Sequence, residues 1–175
     1  MKPRFLLAPL LAVAVLLGFS SPAAALPREI EGFVIRVTDG DTITVATTAG
    51  SKSRVRLYGI DAPEIRHKDR PGQAYGRESR VALKEKAYRM PVRVEIVDVD
   101  SYGRLVGVVF LGRRNINAEM VAEGYAWAYR RFLGGPYASS FIGLERKARK
   151  KKLGLWRESN PTPPWEFKRR LGVGR

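Results

Sequence analysis

Residues 32–64 read GFVIRVTDGDTITVATTAGSKSRVRLYGIDAPE, a run of three apolar alternations separated by two polar turns. Phe33, Ile35 and Val37 fall on one face of a first strand, Ile43 and Val45 on one face of a second, and Val55 and Leu57 on one face of a third. Asp39-Gly40-Asp41 supplies a tight turn between the first two, and the polar stretch from Thr47 to Ser53, with Gly50, a hairpin between the second and third. In the third strand Arg56 and Tyr58 alternate with Val55 and Leu57, so Arg56 points away from the core face.

Downstream, Pro63 and the polar run from Arg66 to Gly72 mark a loop, followed by a helix on which Tyr75, Ser79, Ala82, Leu83 and Ala87 share one side until Pro91 stops it. Val92, Val94 and Ile96 form another alternating strand. After the Ser101-Tyr102-Gly103 turn, Leu105 to Phe110 is a nearly continuous apolar strand. Asn117 is expected to cap a short helix, Ala118 to Glu123, that Gly124 ends. A last helix is expected from Ala138 to Lys152, with Phe141, Leu144 and Ala148 buried and Glu145 four residues before Arg149. The Pro-rich, basic segment from Pro161 to Arg175 reads as a surface tail, with Trp156 and Trp165 pinning it to the body. About five short strands with about three helices suit a five-stranded Greek-key β-barrel of the OB type, the alternative being an open α+β sheet.

The 175 residues are 45% hydrophobic, enough for one domain with a real core. A formal charge of +15, spread along the chain, favours polyanionic partners, nucleic acid first among them. Residues 1–25 have the form of a secretory leader: Lys2 and Arg4, an apolar run from Phe5 to Phe19, and Ala23-Ala24-Ala25 as the cleavage site. The run is shorter than the roughly 20 residues of a membrane span and contains Pro9 and Gly18, so a stable anchor is not expected. Without cysteine there is neither a disulfide framework nor a lipid-modified N-terminal Cys. The expected division is a leader at 1–25, one domain at 26–160 and a tail at 161–175, in a monomer that is secreted or periplasmic.

Five charged side chains stand at turns and strand ends. Asp41 and Asp61 can converge on one hard cation such as Ca²⁺, which accepts carboxylates, carbonyls, waters and phosphate oxygens in irregular geometry. Glu64, behind the rigid Pro63, is set a short distance from Asp61 and can take a proton from an attacking water. Arg56 and Arg104 offer planar forks for phosphate oxygens. Taken singly, each acid reads as a turn cap or a solvated loop residue, Asp39 included, and each arginine as surface charge. Their joint placement points to phosphodiester chemistry. Tyr102 and Tyr129 can stack on bases beside the basic Arg130-Arg131 pair. His67, the one histidine, excludes mechanisms built on paired histidines.

The ordered motifs D-G-D-T, R-L-Y-G-I-D-A-P-E, G-Q-A-Y-G-R-E-S, D-S-Y-G-R, I-N-A-E-M-V-A-E-G-Y-A and K-K-L-G-L-W, from Gly32 to Trp156, resemble the staphylococcal nuclease family. The resemblance implies an OB barrel with helices and Ca²⁺-dependent cleavage of DNA and RNA to 3′-phosphate ends. It matches Asp41, Asp61 and the Ala62 carbonyl to the calcium ligands, Glu64 to the general base, and Arg56 and Arg104 to the catalytic arginines. Ala62 stands where the family often has threonine, Ser101 where it has lysine, and the aromatic pair expected to flank a nucleotide is reduced around Tyr129. A barrel that binds single strands without cutting them is the rival reading, and a basic exported protein that engages envelope polyanions a further one.

Overall fold

The computed structural model describes residues 28–172; the leader read at 1–25 and its cleavage point lie outside them. Five strands make the barrel: β1 (Glu29–Val37), β2 (Thr42–Thr47), β3 (Lys52–Leu57), then, beyond the two-residue β4 (Ile60–Asp61), β5 (Pro91–Val99) and β6 (Leu105–Leu111). Antiparallel pairing runs β3-β2-β1-β5-β6, and a parallel β3–β6 pairing closes the ring, in which Arg56 lies opposite Val106. This is a closed OB-type barrel rather than an open sheet. Two short strands complete the β-structure: β7 (Arg114–Asn115) beside β6, and β8 (Trp127–Ala128) beside β4.

Closure is written into two irregularities. The β1–β2 register shifts between Val34 and Arg36, and the β5–β6 register between Ile96 and Asp98, each a bulge that sharpens strand curvature. At Gly107 in β6 a Cβ would lie 2.6 Å from Val94 Cγ1 and 2.7 Å from the Glu95 carbonyl, so only glycine lets β5 approach this closely. The first bulge overturns the expected face of β1: Val34 and Val37 are buried, whereas Phe33 and Ile35 are exposed. One extra residue reverses which side chains of an alternating strand point inward.

Barrel residues Val34, Ile43, Val45, Val55, Leu57, Val94 and Val109 share one core with Leu83, Ile116, Met120 and Phe141 from three helices: α1 (Gly76–Ala87), α2 (Ile116–Ala122) and α3 (Ala138–Lys150). Each large side chain buried there stabilises the fold by about 2 kcal/mol. Helix α1 buries Ser79, Ala82, Leu83 and Ala87 as the spacing predicts. The cap of α2 is Asn115, which accepts from the Ala118 N–H, not Asn117. Asn117 is instead fully buried: its Oδ1 accepts from Val109 N–H at 3.0 Å, and its Nδ2 donates to the Tyr58 and Gly107 carbonyls, tying α2 to the barrel where β3 meets β6. On α3 the buried stripe is Phe141, Glu145 and Ala148, with Leu144 only partly covered.

The segment expected to lie on the surface is pinned to the body by Trp165, as expected, and docks there as a helix. Pro164–Arg170 forms a helix, α4, and Trp165 packs beside a second cluster of Trp127, Ala148, Leu155 and Trp156. Trp165 meets Trp127 edge-on with ring centroids 5.5 Å apart, so indole burial rather than chain polarity decides where the tail lies. No helix among the described residues is long and apolar enough to cross a membrane.

Candidate active site

The turn between β1 and β2 aims an acid inward. Asp39 Oδ1 accepts from the Asp41 N–H at 3.1 Å, the local bond that suits aspartate to turns. At Gly40 a Cβ would lie 2.6 Å from Ala62 Cβ and 2.7 Å from Ser79 Cβ, so glycine lets the turn close on the Asp61–Pro63 segment and α1. Asp41 is thereby buried, its Oδ2 accepting from the Ala62 N–H at 3.0 Å and its Oδ1 from Thr42 Oγ1 and Arg56 Nη1 at 3.0 and 2.7 Å.

Arg56, on the outward face of β3, bridges two acids. Its Nη2 donates to Asp61 Oδ1 at 2.7 Å, so one guanidinium holds both carboxylates. Asp61 lies on β4, paired with Trp127 of β8, and its side chain is 0% exposed. Its Oδ1 also accepts from Lys168 Nζ of α4 at 2.9 Å, while its Oδ2 is buried with no hydrogen-bond partner. Lys168 Nζ is also 3.3 Å from Glu64 Oε1. The Glu64 backbone N–H donates to Gln73 Oε1, which fixes the residue beside the loop before α1.

The charges respond to this crowding. Burial opposes ionisation of Asp41, but Arg56, Lys168 and the Ala62 N–H outweigh it and bring the carboxyl down to about 2. Burial and the Asp41 charge push Asp39 up to about 7. Burial raises Asp61 above the usual range, opposed by Lys168 and Arg56 and assisted by Asp41. Burial disfavours the Lys168 ammonium, yet Asp61, Asp41 and Glu64 hold its pKa above the ordinary lysine value. Arg56 is held charged by Asp41 and Asp61 against the cost of its own burial.

The structure thus brings Asp41, Arg56, Asp61, Ala62 and Glu64 into one network. Arg104 is not part of it: in the β5–β6 turn its Nε and Nη2 grip Asp100 Oδ2, each at 2.7 Å. It stands two residues before Val106, the partner of Arg56, along the neighbouring strand. Tyr102, 72% exposed, lies with its ring 5.5 Å from the Arg104 guanidinium. Tyr129 stacks on Trp165, centroids 5.0 Å apart and planes 6° from parallel. Trp165 and Lys168 are the site residues that sequence reasoning missed. Prolines ahead of W-E-F-K-R-R, compatible with a first helical turn, were the available sign of a helix there.

The donor set suits a hard cation. Asp61 Oδ2 is a buried carboxylate oxygen awaiting a partner, and a second carboxylate is held beside it through Arg56. Among the described residues no three His, Cys, Asp or Glu side chains gather closely enough to hold a metal by themselves. Two carboxylates with carbonyl, water and substrate oxygens are an all-oxygen set of the kind that hard divalent cations accept.

The chain is similar to known proteins along most of its length. The family model described as staphylococcal nuclease homologue matches residues 54–158. The chain is 41% identical over 167 residues to a micrococcal nuclease of Shigella flexneri, with 90% of each chain covered. It is 38% identical over 157 residues to an uncharacterized endonuclease of Escherichia coli, covering 89% of this chain and 95% of that one. It is 34% identical over 160 residues to an uncharacterized endonuclease of Haemophilus influenzae, covering 91% of this chain and 85% of that one.

Proposed function

Because the chain belongs to the staphylococcal nuclease family, we propose that this nuclease is exported and uses Ca²⁺ to hydrolyse phosphodiester bonds of DNA and RNA, leaving 3′-phosphate ends. The observation that carries the calcium reading is the buried, unpartnered Asp61 Oδ2 beside a second carboxylate held by the same arginine. Asp41, Asp61 and the Ala62 carbonyl would hold the ion. When bound, it supplies positive charge beside the scissile phosphate and its attacking water.

The chain's own groups divide the remaining work. Glu64 accepts the proton of the attacking water as the oxygen bonds to phosphorus. Arg56 has three of its five N–H groups directed to Asp41, Asp61 and the Ile60 carbonyl, which leaves two for phosphate oxygens. Arg104 answers from the β5–β6 turn, and both guanidinium groups stabilise charge that grows on the pentacoordinate phosphorus. The positive surface collects the polyanion, with Tyr102 and Tyr129 available for stacking. Export rests on the leader form of residues 1–25.

A gel assay of the mature protein with DNA and with RNA tests this reading. Cleavage is expected with calcium and none in excess chelator, and polymerase should extend the products only after phosphatase treatment. Glu64→Gln should lower single-turnover cleavage by about 10²-fold while leaving binding of single-stranded DNA intact. Full turnover in that variant would remove Glu64 from the general-base role, whereas wild-type protein that binds single strands but cleaves nothing with calcium present would move the assignment to a barrel that binds without cutting.

A further inference from the structure

An acid of the proposed cation site and the proposed base-stacking face are both engaged by the same short helix. Lys168 puts an ammonium on Asp61 Oδ1 at 2.9 Å and near Glu64 at 3.3 Å. Three residues earlier, one helical turn back, Trp165 covers Tyr129 in the parallel stack that a nucleobase would make. A third contact holds the approach to the helix: Gln73 Nε2 donates to the Thr162 carbonyl at 2.9 Å while the same side chain accepts from the Glu64 N–H. One segment therefore presents a cation to the acids and a ring to the stacking platform.

We propose that α4 is a tethered occupant of the cleavage site, a latch that calcium and nucleic acid displace in order to bind. This rests on the calcium-nuclease reading and adds its regulation. Several features make the latch releasable. Helix α4 has only seven residues, too few to persist without its docking contacts. A divalent ion drawn to Asp61 would carry twice the charge of the Lys168 ammonium and would draw on several oxygens at once, so it would outcompete one ammonium at sufficient concentration. The segment lies beyond residue 158, where the family-model match ends, so the latch is built from sequence that the match does not include. While α4 is docked, the apparent affinity for calcium falls by the fraction of molecules in which the site is free. Export into a calcium-rich medium then opens the enzyme.

The test uses the full mature chain. In the wild-type protein, hydrogen exchange of the amides from Glu166 to Leu171 is measured without calcium and at saturating calcium; exchange should accelerate on binding, although the rest of the protein becomes no more mobile. Isothermal titration with calcium should show affinity about 10-fold tighter in Lys168→Met. It should also be about 5-fold tighter in Trp165→Ala, which changes no charge and reports the loss of the ring contacts of α4 with Tyr129 and Trp127. Tightening confined to Lys168→Met, with unchanged α4 exchange, would show a local charge effect and overturn the latch. The outcomes separate the two readings. Wild-type protein that binds calcium and cuts DNA while α4 exchange stays constant leaves the nuclease assignment standing and removes the latch. Protein that binds no calcium in any form overturns both.

Discussion

Two carboxylates in this molecule are buried to the same degree and serve different ends. Asp61 is 0% exposed and Glu145 is 1% exposed, and each is met by two cations: Arg56 and Lys168 at Asp61, Arg130 and Arg149 at Glu145. At Glu145 the cations divide the work, Arg130 on Oε2 at 2.7 Å and Arg149 on Oε1 at 3.2 Å, and both oxygens are satisfied. At Asp61 both cations crowd onto Oδ1 and Oδ2 is left bare. A buried charge with each oxygen answered is a finished structural joint, whereas one with an oxygen unanswered keeps a cost that a ligand can remove. Burial and ion-pair count do not distinguish the two sites; the accounting of individual oxygens does.

The largest expected effect breaks that comparison at Asp61. Asp61→Ala should reduce calcium-dependent single-turnover cleavage by about 10³-fold, the scale of a lost cation clamp on a phosphoryl group. Stability should change by less than about 1 kcal/mol, because Arg56 keeps Asp41, Lys168 keeps Glu64, and an incompletely satisfied charge has left the interior. Cleavage rates and a urea denaturation curve read the two quantities independently. A variant that is badly destabilised would place Asp61 with Glu145 as a structural acid.

The converse experiment removes the cations of Glu145. Arg130→Met with Arg149→Met retains much of the aliphatic length but strands a buried carboxylate, and should cost about 3 kcal/mol of stability. Arg149 also lies 4.0 Å from the Trp156 ring centroid and 4.7 Å from that of Trp127, so part of this loss is stacking. Calcium affinity measured by titration of the folded protein should be unchanged within twofold. A large shift there would mean that the two acidic sites are coupled through β8, which carries Trp127 opposite Asp61.

What could be read in the sequence follows the reach of local physics. The D-G-D turn, the alternation that turns Arg56 outward and the D-A-P-E run are short-range patterns, and they bring Asp41, Arg56, Asp61 and Glu64 together. Barrel closure was legible only through the resemblance, because alternation describes a strand's faces and not the parallel pairing of β3 with β6. The bulge at Val34–Arg36 left no mark in the pattern, and Phe33 and Ile35 were misplaced by it. Asn117 was misread as a cap because Asn115 two residues earlier performs that role, while Asn117 answers barrel groups from distant strands. The contact of Lys168 with Asp61 spans 107 positions, and no window along the chain contains it.

The smallest expected effect sharpens the comparison at a third acid, one that is partly exposed. Asp100 holds the β5–β6 turn: its Oδ1 accepts from the Tyr102 and Arg104 N–H groups, and its Oδ2 takes the Arg104 fork. Both oxygens are answered, as at Glu145, but the groups they answer are a turn and a proposed phosphate-binding arginine rather than a helix in the core. Asp100 is therefore a positioning residue, which sets where Arg104 stands without touching substrate. Asp100→Ala should leave calcium affinity unchanged and lower kcat about 10-fold with little change in KM, since a fork that reaches phosphate less often in the right orientation loses transition-state contact before it loses ground-state attraction. Asp100→Asn, which can still accept from both backbone groups, should recover the turn but only part of the rate, because its neutral amide cannot grip a guanidinium as a carboxylate does. Equal rates in the two variants would assign the effect to the turn alone, and wild-type kinetics in both would show that Arg104 finds the phosphate without a guide.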